Sequence, residues 1–151
     1  WGDNWGFIPM SKEEFEYSAN EMRGFIQPEY CFIAEVNGKP VGFSLTLPDI
    51  NVVLKKMDGR VFPFGWASFF WNRKKIKSYR VVALGVKKKC RHMGIDAAFY
   101  YETLKIFVEK KIKWCDVSWV LEDNKGMLAA IHRLGGTIYK RHRIYERDII
   151  P

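Results

Sequence analysis

Residues Val81–Ala98 read VVALGVKKKCRHMGIDAA and decide the fold of the chain. The apolar start of this stretch lies in a strand predicted over residues 79–86, which is apolar on both faces, as central strands are. A basic loop follows, and Gly94 opens a helix predicted over residues 94–111. The first N–H groups of a helix lack intrahelical partners, and its dipole favours negative charge there. The stretch therefore predicts an anion-binding loop between a strand and a helix.

Motif spacing and charge narrow the kind of anion. The P-loop spacing is absent, and the dinucleotide fingerprint needs three glycines. The chain carries a net charge of +8, concentrated in basic runs that attract phosphates. These runs cover residues 73–77, 87–91 and 140–143. Binding of nucleic acid through these runs is a rival hypothesis, but the chain has no helix-turn-helix or RNA-recognition signature, so no nucleic-acid partner is expected.

Capping and turn signals divide the rest of the chain into elements. Ser11 and Glu14 form a capping box for a helix predicted over residues 12–23. Asn37-Gly38 joins two apolar runs and predicts a β-hairpin. The other expected elements are hairpin strands over 30–36 and 41–47, a helix over 50–57 capped by Asp49, a strand over 114–121, a helix over 124–134 ended by Gly135-Gly136, and closing strands over 137–139 and 143–149. The apolar stripe of the 94–111 helix is expected to be Ile95, Phe99, Leu104, Ile106 and Val108.

Length and composition bound the class of protein. The chain has 151 residues, 48% of them hydrophobic, which fits one domain over residues 1–151 with a helical insertion at about 49–77. No apolar run reaches the roughly 18 residues of a membrane span, and no signal peptide is recognisable. Three cysteines without metal-ligand spacing favour a reducing, cytoplasmic setting and no metal site. The aromatic segment 62–71 either packs over a pocket or forms an exposed patch.

Two segments resemble the GNAT superfamily of N-acetyltransferases. In Leu84–Asp96, a strand precedes Arg91 and Gly94, which match the family pattern Q/R-x-x-G-x-G/A. In residues 122–140, an asparagine opens a helix that closes on glycine before a strand. The resemblance implies an α/β fold of the α+β kind, with a mixed, mostly antiparallel sheet flanked by helices.

A narrower resemblance is to the C-terminal part of larger, uncharacterised bacterial GNAT-like proteins. The residues that carry it are Asn4–Met10, Phe62–Gly65, Leu121–Asn124 and Tyr139–Glu146. The family's first strand would then be missing, which leaves about six strands and an open sheet edge. We expect a preceding module of a longer chain, or a homodimer partner, at that edge.

The resemblance also implies a reaction and a site. Acetyl-CoA or another acyl-CoA is the expected co-substrate, and a small-molecule or peptide amine attacks it directly in a ternary complex. The Leu84 N–H is expected to polarise the thioester carbonyl as an oxyanion donor. The expected cofactor-binding residues are Leu84, Gly85, Val86, Arg91, His92, Met93, Gly94, Ile95, Asp96 and Asn124. No membrane contact is expected.

Two positions depart from the family pattern. Asp96 stands where a small residue lets the diphosphate approach, and Ile131 stands where a tyrosine protonates the leaving thiolate. Substitute acids are Tyr139, Tyr145 and Tyr100, and Glu122 is either a general base or a first-turn helix charge. These departures favour an alternative hypothesis, a catalytically degenerate module that binds CoA or a protein partner.

Overall fold

The computed structural model describes residues 8–57 and 75–148. The expectations about an N-terminal strand and about the aromatic segment 62–71 lie outside these residues, at least in part. Residues up to Ser118 form one compact unit, the N-terminal unit, and residues from Trp119 onward form a second, the C-terminal unit. The prediction of a single domain stays a prediction.

A four-stranded mixed sheet forms the centre of the N-terminal unit. Its strands lie in chain order, the first three antiparallel and the last parallel to the third. The mixed, mostly antiparallel sheet expected of a GNAT-like fold is thus confirmed. The strands are β1 (Cys31–Val36), β2 (Lys39–Pro48), β3 (Ser78–Val86) and β4 (Trp114–Asp116).

Four α-helices and two short 3-10 helices complete the described elements. The helices are α1 (Lys12–Met22), α2 (Asn51–Met57), α3 (Ile95–Glu109) and α4 (Lys125–Arg133), with 3-10 turns at Pro28–Tyr30 and Lys88–Cys90. The capping box at Ser11 is confirmed, with both reciprocal bonds present. The Asn37-Gly38 hairpin turn is also confirmed, and both residues have positive φ, as a two-residue turn of this kind requires.

Helix α3 covers one face of the sheet through Phe99, Thr103 and Phe107, which follow each other at every fourth residue. Phe107 packs 5.9 Å from Tyr30 and 5.5 Å from Tyr79, ring centre to ring centre, in the aromatic core. The predicted stripe is partly wrong, because Leu104 is 44% and Val108 is 78% exposed.

The contact between α3 and the sheet depends on Gly42 in β2. An alanine Cβ there would lie 3.0 Å from the Gly85 carbonyl oxygen and 3.3 Å from the Phe99 ring. Glycine at this position therefore leaves room for the Phe99 ring and avoids a tight contact with the backbone of β3.

The later predicted strands are wrong in extent or existence. The strand expected over 114–121 stops at Asp116, and residues 137–148 form no strand. Apolar, β-branched sequence becomes a strand only where another strand offers hydrogen-bonding partners, and β4 and this segment lack such pairing there.

The C-terminal unit is built around α4. The Asn124 side chain accepts the Met127 N–H at 3.2 Å, and Gly135, at φ 79°, ends the helix as predicted. Two arginines tie the later segment to Glu122: Arg141 bonds one of its oxygens at 2.9 Å and Arg143 the other at 3.3 Å.

Candidate functional site

The feature that sets the site is a stretch of β3 that pairs with no described strand on its β4 side; at its start, the Val81 backbone bonds the Cys115 thiol. Strand β4 pairs with β3 only at Ser78–Arg80, whereas β3 continues for six more residues. In the part of the chain that the structure describes, no strand lies against Val81–Val86 on the β4 side. We call this edge of β3, from Val81 to Val86, the open edge.

The register with β2 determines which backbone groups face the open edge. The Lys87 N–H donates to the Val41 carbonyl at 2.8 Å, and hydrogen-bonded and non-bonded pairs alternate from there along an antiparallel ladder. Val86 pairs with Gly42 and Leu84 with Ser44, both at non-bonded positions. The N–H and C=O groups of Leu84 and Val86 therefore point away from β2 and toward the open edge. A ligand with its own amides can pair there as an added strand would.

A β-bulge precedes these two residues. Leu45 pairs with Ala83 and Thr46 with Val81, so Val82 is an extra residue in β3. Bulges bend a strand and re-aim backbone and side-chain groups, and they are frequent beside functional sites. The sequence does not signal this bulge, because none of residues 81–83 is a glycine.

The basic loop, residues 87–93, follows the open edge directly. Its turns use the N–H groups of Cys90 and Arg91, which donate to the carbonyls of Lys87 and Lys88 at 2.8 and 3.3 Å. The Met93 N–H donates to Cys90 at 3.4 Å, and His92 adopts φ 71°. The backbone of this loop is therefore folded by its own bonds, while the charged side chains of Lys87, Lys88, Lys89 and Arg91 are exposed to solvent.

Helix α3 presents its N-terminus at the end of the loop. Gly94, at φ 75°, provides no side-chain cap, and the first intrahelical bond runs from the Ala98 N–H to the Gly94 carbonyl at 2.9 Å. The N–H groups of Ile95, Asp96 and Ala97 precede that bond and have no acceptor within the helix. Three N–H donors at the start of α3 thus follow a loop rich in cationic side chains, where an anion is expected.

Asp96 is exposed in the first turn of α3. Its effect is seen at Tyr100, one turn further on. Burial raises the pKa of the Tyr100 hydroxyl, and the neighbouring Asp96 carboxylate raises it further.

The remaining predicted site residues belong to the C-terminal unit and have local roles there. Asn124 caps α4, and Glu122 has both oxygens engaged by arginines. Tyr139 is 64% exposed in the segment without strands. The Ile131 carbonyl accepts the Gly136 N–H at 2.9 Å, which closes the helix.

Two of the cysteines are protonated by burial, and the described residues form no metal site. Burial raises the pKa of the Cys115 thiol to about 11 and also raises that of Cys31, so neither is a thiolate at neutral pH. Among the described residues, no group of histidine, cysteine, aspartate and glutamate side chains could hold a metal ion. None of the described helices is both long and apolar enough to span a bilayer.

Comparison with solved structures identifies the fold. The aminoglycoside N-acetyltransferase AAC(6')-Iy in complex with the bisubstrate analogue CoA-S-monomethyl-acetylneamine matches with a TM-score of 0.60 at 15% identity, over 96% of this chain and 84% of that one. The same enzyme in complex with CoA matches with a TM-score of 0.54 at 15% identity, over 93% and 97% of the two chains. The chain has a GNAT-like fold.

Comparison with curated sequences finds two bacterial relatives. Protein YghO of Escherichia coli is 34% identical over 155 residues, which cover 99% of this chain and 40% of that protein. Bacterial ceramide synthase of Caulobacter vibrioides is 32% identical over 155 residues, with the same coverage of 99% and 40%. The chain thus spans about 40% of the length of these relatives. No family model matches the chain.

Proposed function

We propose that this chain carries the acyl-CoA site of an N-acyltransferase, which moves an acyl group from acyl-CoA to an amine. The observation that carries the proposal is the open edge of β3, where the amides of Leu84 and Val86 lead into the basic loop and the N-terminus of α3. The likeness in fold to structures that hold CoA or a CoA-linked analogue supports it.

The chemistry of CoA fits these groups one by one. Its pantetheine arm contains amides that can pair with the backbone of Leu84 and Val86. Its diphosphate suits the N–H groups of Ile95, Asp96 and Ala97, since helix N-termini bind phosphates through such donors and through the dipole. The exposed lysines of the basic loop add long-range attraction for the same charges.

The reaction requires positioning and stabilisation of charge. The amine nitrogen forms a bond to the thioester carbonyl carbon, the C–S bond breaks, the nitrogen loses a proton and the CoA thiolate gains one. The Leu84 N–H stabilises the negative oxygen that develops on the carbonyl. Loss of one such donor raises the barrier by about 3–4 kcal/mol.

Of the three tyrosines that the sequence offers as substitute acids, Tyr100 belongs to the same unit as the open edge. Burial and the neighbouring Asp96 carboxylate raise its pKa. Tyr139 and Glu122 stay predictions as acid and base. Glu122 is the weaker of the two, because its two oxygens are already bonded to Arg141 and Arg143.

The relatives suggest the class of acceptor. One of them, 32% identical over nearly the whole of this chain, is a bacterial ceramide synthase. A ceramide is the N-acyl amide of a long-chain amino alcohol. We therefore extend the proposal to an acceptor of that class and a long-chain acyl donor, with acetyl transfer to a smaller amine as the alternative.

A transfer assay tests the proposal directly. Free thiol released from acetyl-CoA or palmitoyl-CoA is measured with and without a long-chain amino alcohol, and the amide product is identified by mass. CoA at 100 times its Kd should also stabilise the fold by about 2.7 kcal/mol. Thermal unfolding that millimolar CoA leaves unchanged would refute the acyl-CoA site.

Two proline variants assign the roles along the open edge. Leu84→Pro removes an N–H that makes no bond to β2, so the strand tolerates it as an edge strand does. We expect its transfer rate to fall about 10²–10³-fold. The matched variant Val86→Pro removes the next N–H on the same edge, farther from the carbonyl, and should weaken CoA binding more than it slows transfer. A wild-type rate in Leu84→Pro would exclude the Leu84 N–H as the oxyanion donor.

A further inference from the structure

The open edge begins at one pair of residues, Arg80 in β3 and Asp116 in β4. They are the last partners in the parallel register, where β4 ends while β3 continues to Val86. The feature that separates the two strands should therefore be found at this pair.

An ion pair joins the two side chains across the strands. Arg80 donates to one oxygen of Asp116 from two nitrogens, Nε at 2.9 Å and Nη2 at 2.6 Å. The Asp116 side chain is 8% exposed and that of Arg80 is 43% exposed. The carboxylate is thus largely buried, and a buried carboxylate depends on its partners to keep its charge.

The second oxygen of Asp116 turns the chain away from β3. It accepts the Ser118 N–H at 3.1 Å, and Ser118 adopts φ 64°, in the left-handed region. A bond from an aspartate to the N–H two residues later favours a turn over an extended strand. One carboxylate therefore holds β4 against β3 at its last pair and ends β4 directly afterwards.

Separate hydrogen bonds hold β3 and β4 together at the end of their contact that precedes Ser78. The Lys113 N–H donates to the Lys77 carbonyl at 2.8 Å, and the Lys77 ammonium donates to the Lys110 carbonyl at 2.8 Å. The two strands are therefore held together before Ser78 and separate only after Arg80.

We propose that Asp116 and Arg80 are positioning residues that fix where β3 and β4 separate, and so align the Leu84 and Val86 amides for acyl-CoA. This inference rests on the proposed function, and it adds a pair of residues that touch neither the substrate nor the reacting atoms. Without the Asp116 carboxylate, β4 loses its side-chain bond to β3 and the turn that ends it, and the open edge loses its fixed boundary.

Binding of CoA, measured by titration calorimetry, tests the pair at a temperature where every variant is folded. Asp116→Ala should raise the Kd for CoA about tenfold or more. Asp116→Asn keeps an oxygen for the Ser118 N–H but loses the ion pair, and should weaken binding less than Asp116→Ala. Arg80→Lys keeps the charge without the planar fork, and should also give an intermediate Kd.

Glu29→Gln is the matched control. Glu29 forms an ion pair with Lys110, which also joins distant parts of the same unit but lies at the far end of α3 from the basic loop. This variant should lose stability without a change in the Kd for CoA. The comparison separates a general loss of stability from a specific effect on the open edge.

Each result decides between the hypotheses. If wild-type protein binds CoA and all three variants at Asp116 and Arg80 bind it within twofold of wild type, the positioning role is wrong and the acyl-CoA site stands. If Asp116→Ala does not fold, Asp116→Asn and Arg80→Lys decide in the same way. If wild-type protein does not bind CoA, the proposed function is wrong, and this inference fails with it.

Discussion

Replacing Gly42 by alanine tests how closely α3 must approach the sheet. The new Cβ would lie 3.0 Å from the Gly85 carbonyl oxygen, 3.3 Å from the Phe99 ring and 3.3 Å from a Val86 methyl group. Ordinary carbon contacts lie at about 3.5–4.0 Å, so α3 or the strands must move by a few tenths of an ångström. Overpacking of this kind costs about 1–3 kcal/mol.

The contact with the Gly85 carbonyl should keep the loss of stability in Gly42→Ala from being small. The Phe99 ring can turn aside, but a carbonyl in the middle of a strand ladder moves only with its strand. Gly42 also pairs with Val86, so the shift would reach the open edge.

Urea unfolding, followed by circular dichroism, measures this effect. Gly42→Ala should lower the free energy of unfolding by about 1–3 kcal/mol, and each kcal/mol corresponds to about 2–4 °C in Tm for a chain of this length. The control is Gly24→Ala in the same unit, where a Cβ meets nothing within 4 Å. It should stabilise the fold by about 0.4–1 kcal/mol through the unfolded state. Equal stability of the two variants would refute the close approach described here.

Three further predictions address the core, the thiols and the anion site. Phe107→Ala should lower the free energy of unfolding by about 3–5 kcal/mol, and Val108→Ala, at the next residue, by less than about 0.5 kcal/mol. The same urea assay measures both, and equal losses would contradict the orientation of α3. Burial raises the pKa of the Cys115 thiol from its ordinary value of 9.0 to about 11. Between pH 9 and about 11 the thiol ionises only in the unfolded chain, so the free energy of unfolding falls as the pH rises through this range. Cys115→Val should reduce this fall when unfolding is measured as a function of pH. Asp96→Ala should leave the calorimetric Kd for CoA nearly unchanged, and a tenfold tighter Kd would instead show that the carboxylate repels the diphosphate.

The sequence by itself determined the hairpin turn and the caps of two helices. The capping box at Ser11, the turn at Asn37-Gly38, the cap at Asn124 and the glycine after α4 all stand where predicted. Each of these signals acts within about four residues, because a cap or a tight turn satisfies backbone groups that are close in sequence. The strand, loop and helix of Val81–Ala98 follow from the same kind of signal.

Only the tertiary structure decided the features that create the candidate site. The length of β4, the extra residue Val82 and the ion pair between Arg80 and Asp116 depend on which strand lies beside which. The face of α3 that is buried was likewise set by the sheet, which takes Thr103 in preference to Leu104. Apolar periodicity reports that a face will be buried, but the partner strand fixes the register, and the register determines which amides stay unpaired at the open edge.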